Sequence, residues 1–257
     1  MSITVIRMKN HYEVGELTAT LIADAIRSKP NLVLGLPTGQ TPVPVYYQLR
    51  RLYDEGLLDC SNVTTFNLDE YFRRGKGDPD SYYTFMHEQL FDHIPFKASY
   101  LPNAKPENSE TMPTSQLIPI LENECFKYDM KIDEEGGIDI QLVGLGSNGH
   151  IGFNEPSPEE ISDGTCIVTL AGQTRSDNAN KFYHGDESKV PKKAISMGMG
   201  KIMQAKSIIL IANGESKAKA IYDSLRGPIT PMVPASLLRL HPDVTFIIDE
   251  AAAKLLD

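Results

Sequence analysis

Apolar residues along this chain fall into two alternating kinds of run. Ile3–Met8 is short and rich in β-branched residues, and it reads as a strand. Behind it Val14, Leu17, Leu21, Ala25 and Ile26 recur at three- and four-residue spacing, which marks one face of an amphipathic helix. The run 31–36 (NLVLGL) is apolar throughout, as a strand buried on both faces requires. Tyr46, Leu49, Leu52 and Tyr53 then predict a second helix. The same reading gives strands over 63–68 (VTTFNL), 139–145 (DIQLVGL), 166–170, 207–212 (SIILIA) and 244–248 (VTFII). It gives helices near 81–93, 114–131, 215–226 and 250–256. Strands alternating with helices predict an α/β fold: a single doubly wound, mostly parallel sheet, Rossmann-like, with helices on both faces. No linker, composition shift or repeat divides residues 1–257, so one domain is expected. Two polar segments interrupt the pattern. Residues 103–116 are expected to be a surface connection. Residues 171–193 (AGQTRSDNANKFYHGDESKVPKK) read as a long loop, either a lid over a site or a solvated excursion.

Composition narrows the partners. The net charge of -9 argues against nucleic acid, whose phosphates need a basic surface, but leaves room for a small anionic ligand. Cys60, Cys125 and Cys166 have no metal-ligand or disulfide-framework spacing, which suggests reduced thiols. No apolar run approaches a membrane span, and no signal peptide is visible, so a cytoplasmic location is expected. The histidines show no metal-ligand spacing.

In open parallel sheets a ligand sits beyond the carboxyl ends of the strands, and that is where the chemistry-bearing residues of this sequence lie. After NLVLGL, residues 37–42 (PTGQTP) offer a tight turn at Gly39, hydroxyls at Thr38 and Thr41, and a helix start, which together suit an anion or a plain strand–helix turn. After VTTFNL come Asp69 and Glu70. Two such carboxylates cap a helix, stay solvated, or include a general base, and alternation along extended chain turns only one toward a site. After DIQLVGL, residues 144–149 (GLGSNG) satisfy the glycine pattern of a dinucleotide fingerprint. Its context fails, because prolines at 156 and 158 replace the expected helix and no acidic residue ends the next strand, so a nicotinamide cofactor is rejected. What remains is His150 with Glu155 close by, a pair in which a carboxylate fixes the imidazole tautomer. After SIILIA, Lys217 falls in a helix's first turn, where it opposes the dipole unless an anion shares the site.

Taken together, PTGQTP, FNLDEY with SYYTFM, GLGSNGHIGFNEP and SIILIANGESKAKA resemble the glucosamine-6-phosphate deaminase (isomerase) family, in the family's order and across essentially the whole chain. The resemblance implies conversion of an amino-sugar phosphate and water to a ketose phosphate and ammonia, with no metal or organic cofactor. It implies that His150, oriented by Glu155, opens the sugar ring, and that Asp69 carries a proton between C2 and C1. It implies that Thr38, Gly39, Gln40 and Thr41 hold the phosphate with Lys217, helped by Lys181 of the lid.

Three departures stand out. Asn148 replaces the aspartate of well-known members, and an amide exchanges no proton near neutral pH. Lys181 aligns with the family's lid arginine and lacks its bidentate fork. Cys166 and Val168 stand where allosteric members carry basic residues, so activation by an N-acetylated sugar phosphate is not expected. Galactosamine 6-phosphate is an alternative substrate, a 6-phosphogluconolactonase-like hydrolase an alternative activity, and a non-catalytic sugar-phosphate sensor an alternative class. The family includes monomers and larger assemblies, so a homo-oligomer stays open.

Overall fold

The computed structural model describes residues 2–159 and 161–257; the side chains of Ser2, Lys181 and Phe182 lie outside that description. Its strands are β1 (Ser2–Met8), β2 (Val33–Leu36), β3 (Thr64–Asn67), β4 (Asp69–Tyr71), β5 (Ala98–Tyr100), β6 (Ile140–Gly144), β7 (Cys166–Thr169), β8 (Lys193–Ser196), β9 (Ser207–Ala212) and β10 (Asp243–Asp249). The helices are α1 (His11–Ser28), α2 (Val43–Asp54), α3 (Tyr82–Met86), α4 (Thr114–Glu134), α5 (Gly172–Phe182), α6 (Met199–Met203), α7 (Ala218–Arg226) and α8 (Glu250–Ala253). The helix expected near 81–93 is α3 followed by a π-helical stretch, His87–Phe91.

Seven strands form the central sheet in the order β1-β10-β9-β6-β2-β3-β5, and every pairing in it is parallel. From β2 the chain steps outward through β3 to β5. It returns at β6, beside β2, and steps the other way through β9 and β10. The strand order therefore reverses between β2 and β6, and a crevice opens beyond their carboxyl ends.

Alternation along each strand builds a core on both faces. Leu34, Leu36, Leu142, Ile209 and Ile211 pack with Ile22 of α1 and Leu49 of α2. On the other face Val33, Phe66, Val143, Ile208 and Leu210 pack with Tyr128 of α4, Ile202 of α6 and Ile221 of α7. Each such side chain, fully buried, contributes about 1.5–3 kcal/mol, so the strand ends project from a rigid floor.

Two expectations need correction. The strand expected over 166–170 forms as β7, Cys166–Thr169, but it lies outside the parallel sheet. It joins β8 and β4 in a three-stranded antiparallel sheet of order β4-β8-β7. Neither β4 nor β8 stands out in the sequence. Each is three or four residues long and is stabilised by a partner more than a hundred positions away. The segment 171–193 is also not a loop throughout, because residues 172–182 form α5. Ala179 is that helix's apolar anchor, in a cluster with Tyr71, Tyr82, Phe153, Leu170 and Tyr183. Among the described side chains of α5 this alanine is the one that is apolar and buried, which gives no detectable apolar periodicity.

Candidate active site

Four strand ends and the polar face of α5 converge on the crevice. At the end of β2 the loop 37–42 turns through Gly39, whose φ of 102° is open to glycine but strained for other residues. The loop runs into α2, whose N-cap is Pro42; no side chain caps this helix start. An uncapped start of this kind presents backbone N–H groups and the positive dipole end to an anion.

At the end of β3, Asp69 and Glu70 are both buried, and they face opposite ways. Glu70 accepts the backbone N–H groups of Tyr71, Tyr82 and Tyr83 at 2.8, 2.9 and 2.8 Å and so fixes the start of α3. Asp69 lines the crevice, and its Oδ1 is buried without a hydrogen-bond partner. Burial, and then the charge of Glu70, push the Asp69 carboxyl up to about 8, against a hydrogen bond with Thr38 that pulls it down. Burial likewise pushes Glu70 upward, with its three backbone hydrogen bonds opposing. A carboxyl in this condition exchanges a proton readily near neutral pH.

At the end of β6 the glycine-rich stretch folds back on itself. The Gly146 N–H donates to the His150 carbonyl at 2.9 Å, and the Gly149 N–H to the Gly146 carbonyl at 3.1 Å. The imidazole then lies against Gly146, where an added Cβ would meet Nδ1 at 2.3 Å. The amide of Asn148 organises the rest. Its Oδ1 accepts the backbone N–H of His150 at 3.2 Å, which can only donate, and its Nδ2 donates to Glu155 Oε2 at 3.0 Å, which as a carboxylate can only accept. With the amide fixed in this way, the 2.7 Å contact between Asn148 Oδ1 and His150 Nδ1 requires the proton on Nδ1. In the neutral ring it is then Nε2 that carries the lone pair.

Glu155 reaches His150 both directly and through Asn148. Its Oε2 lies 3.5 Å from Nδ1, farther than the Asn148 oxygen, and Asn148 bonds to both. An aspartate at 148 would put two carboxylates about as close as this hydrogen bond and force them to share a proton; the asparagine needs none. Glu155 Oε1 also accepts the Ala171 N–H at 3.2 Å, tying the cluster to the start of α5. Burial pushes the Glu155 carboxyl up, but hydrogen bonding and charge from His150, with Thr174 and Asn148, outweigh it and hold the group at about 2. The unfolded chain thus binds a proton to this carboxyl more readily than the folded one does. The stability it contributes is complete above its ordinary value of 4.5 and is lost as pH falls toward 2. Melting temperatures of Glu155→Gln and wild type are expected to converge over that interval and to separate in favour of wild type above it.

At the end of β9, Lys217 closes a 3₁₀ turn, Glu215–Lys217, ahead of α7. It is 9% exposed and lines the crevice, so it is no ordinary surface lysine.

Of the residues singled out in the sequence, Thr38, Gly39, Gln40, Thr41, Asp69, His150 and Lys217 share this one pocket. Asn148 and Glu155 stand behind His150. The backbone of Lys181 belongs to α5, and its side chain lies outside the described residues. The sequence reading missed Tyr82, Ser147, Thr174, Asp177 and Asn178, which also line the pocket. The last three sit at i, i+3 and i+4, the spacing of one helix face, and that was the available signal. Among the described residues, no group of three His, Cys, Asp or Glu side chains is placed to hold a metal ion. No described helix is long and apolar enough to cross a membrane.

A proton-exchanging carboxylate and a tautomer-locked imidazole share a crevice with an uncapped helix start and a buried lysine. That set, at the switch point of a parallel sheet, defines an α/β protein with an acid–base site for a small anionic ligand. A family model described as glucosamine-6-phosphate isomerases/6-phosphogluconolactonase matches residues 11–247, and the chain belongs to this family. It is 46% identical over 254 residues to a glucosamine-6-phosphate deaminase of Thermoanaerobacter pseudethanolicus, covering 98% of this chain and 94% of the relative. It is 45% identical over 255 residues to one of Alkaliphilus oremlandii, covering 98% and 100%. The solved structure of a monomeric glucosamine-6-phosphate deaminase superposes with a TM-score of 0.87 at 41% identity, over 98% of this chain and 99% of the other. A 6-phosphogluconolactonase from Trypanosoma brucei shares the fold, with a TM-score of 0.76 at 20% identity over 100% and 99%.

Proposed function

We propose that this protein is a glucosamine-6-phosphate deaminase, converting glucosamine 6-phosphate and water to fructose 6-phosphate and ammonia. The observation that carries the reading is the shared pocket of Asp69, His150 and Lys217 in a chain 46% identical over nearly its whole length to a deaminase of that name. The phosphate binds at the start of α2, on the amides and hydroxyls of residues 38–41 and on Lys217, which places the sugar ring against the other wall. His150 takes the anomeric hydroxyl proton on Nε2 and returns a proton to the ring oxygen, opening the pyranose. Asp69, as the carboxylate, removes the C2 proton to give an enolamine and delivers a proton to C1. The C2 iminium that results adds water and expels ammonia, leaving the ketose. Asn148 and Glu155 act through His150 by holding its tautomer. A lactonase reading gains less support, since its structural likeness is one of fold alone. A metabolite substrate of this kind suits a cytoplasmic enzyme.

The test is ammonia release with glucosamine 6-phosphate and galactosamine 6-phosphate, which differ only at C4, assayed in parallel. Release from the first with kcat/KM well above the second is expected. The reverse order reassigns the substrate, and no release from either removes the deaminase reading.

A further inference from the structure

The lid helix brings a negative charge to the end of the pocket assigned to the phosphate. α5 directs Thr174, Asp177 and Asn178 into the crevice. Asp177 Oδ2 accepts the hydroxyl of Ser147, in the glycine-rich stretch, at 2.5 Å, and its Oδ1 accepts from Gln173 Nε2 at 2.8 Å. At the outer mouth Asp177 shares a cavity wall with Gln40, Thr41, Ser147 and Lys217. The carboxylate thus sits among the groups that would receive an anionic ligand.

We propose that Asp177 is a specificity-determining residue whose carboxylate occupies the phosphate end of the empty pocket and must be displaced by the substrate's phosphate. The inference rests on the phosphate pocket described under Proposed function. A carboxylate and a phosphate are both acceptors, and the Ser147 hydroxyl has one proton to give. It serves Asp177 or the phosphate, not both. The two anions also repel at this range, so phosphate entry requires the Ser147–Asp177 bond to open and the carboxylate to withdraw. The motion falls on α5, where Ala179 is the one buried apolar side chain among the described residues and the rest of the hold is polar. Because the competitor is a full charge, a ligand without a phosphate does not displace it, and the pocket stays occupied by the protein's own anion. Asp177 thereby ties lid position to phosphate without touching the reacting carbons.

Asn at 177 keeps the shape, removes the competing charge and offers an N–H to the phosphate. Inorganic phosphate binding is measured by calorimetry at fixed ionic strength for wild type, Asp177→Asn and Asp177→Ser, with kcat and KM for glucosamine 6-phosphate alongside. Both variants are expected to bind phosphate about tenfold more tightly, the size of one charge-assisted interaction gained, and to show a similar fall in KM with kcat nearly unchanged. Two folded variants with wild-type or weaker phosphate affinity overturn the inference while leaving the pocket assignment standing. Absence of phosphate binding in all three proteins removes the pocket assignment itself, and the inference with it.

Discussion

Asp69→Asn is expected to lose nearly all turnover while becoming a more stable protein than wild type. The substitution preserves shape and can retain the contact with Thr38, so substrate binding should change little. What disappears is the group that moves a proton between C2 and C1. Positioned acid–base groups contribute about 10²–10⁴-fold, and the neighbouring carboxyl, Glu70, is spent on three backbone N–H groups; a fall in kcat of roughly 10³-fold follows. The stability change has the opposite sign. In the folded chain Asp69 is raised to about 8 from an ordinary 3.8, so between those values the folded state binds the proton that the unfolded state releases. Wild type therefore loses stability as pH rises through that window, and the loss is complete above about 8. Asn carries no such cost. Melting curves at pH 5 and 8.5 are expected to show a stability gain for the variant that is larger at the higher pH. Single-turnover ammonia release and exchange of the C2 hydrogen with solvent report the catalytic loss. Turnover within tenfold of wild type would remove Asp69 from the proposed proton transfer.

Such a trade of stability for proton exchange is visible only in part from sequence. The strand-end logic is legible because parallel strands read as apolar runs, and ligands gather where those runs stop. By that logic Thr38, Asp69, His150 and Lys217 already stand together at strand ends in the sequence. The prediction that only one of Asp69 and Glu70 faces the crevice follows from extended-chain alternation, and the geometry agrees. Burial was not legible. Lys217 reads as a surface residue in a first turn, and only the packing of the 3₁₀ turn between β9 and α7 puts it inside. Helix α5 escaped for a related reason. α5 is fixed by Ala179, by Asn178 donating to the Tyr71 hydroxyl at 2.8 Å and by Ser147 donating to Asp177, contacts that reach as far as Tyr71, 107 positions away, and leave no local period. Asn148 shows a third limit. In the sequence it looks like a lost acid, whereas in the fold its amide has an acceptor for His150 on one side and a donor for Glu155 on the other. Two chemically distinct ends do there what a carboxylate can do only with a shared proton.

The glycines of the same stretch separate into those that shape the backbone and one that makes room for the imidazole. Gly146→Ala is accordingly expected to cripple the enzyme, while Gly144→Ala, two residues away in the same pocket wall, is expected to be nearly silent. Neither glycine has a positive φ, so alanine costs neither site backbone strain. At Gly144 an added Cβ meets nothing within 4 Å. At Gly146 it would stand 2.3 Å from Nδ1 and Cε1 of His150 and 2.4 Å from Nε2, that is, inside the ring's contact distance along one whole edge. A ring held by a 2.7 Å bond to Asn148 cannot yield at its tip alone, so it must swing as a body by more than about 1 Å and release that bond. Misplacement on this scale costs about 10²-fold in rate, and the overpacking about 1–3 kcal/mol in stability. The loss should fall on ring opening, because Asp69 stands on a different strand end and is not displaced. Exchange of the C2 hydrogen from substrate that has opened spontaneously should persist in Gly146→Ala, unlike in Asp69→Asn, even as kcat/KM for ammonia release drops. Equal kcat/KM in Gly146→Ala and Gly144→Ala would show that His150 works equally well from a displaced position, and its assignment as the base held in place by Asn148 would fall.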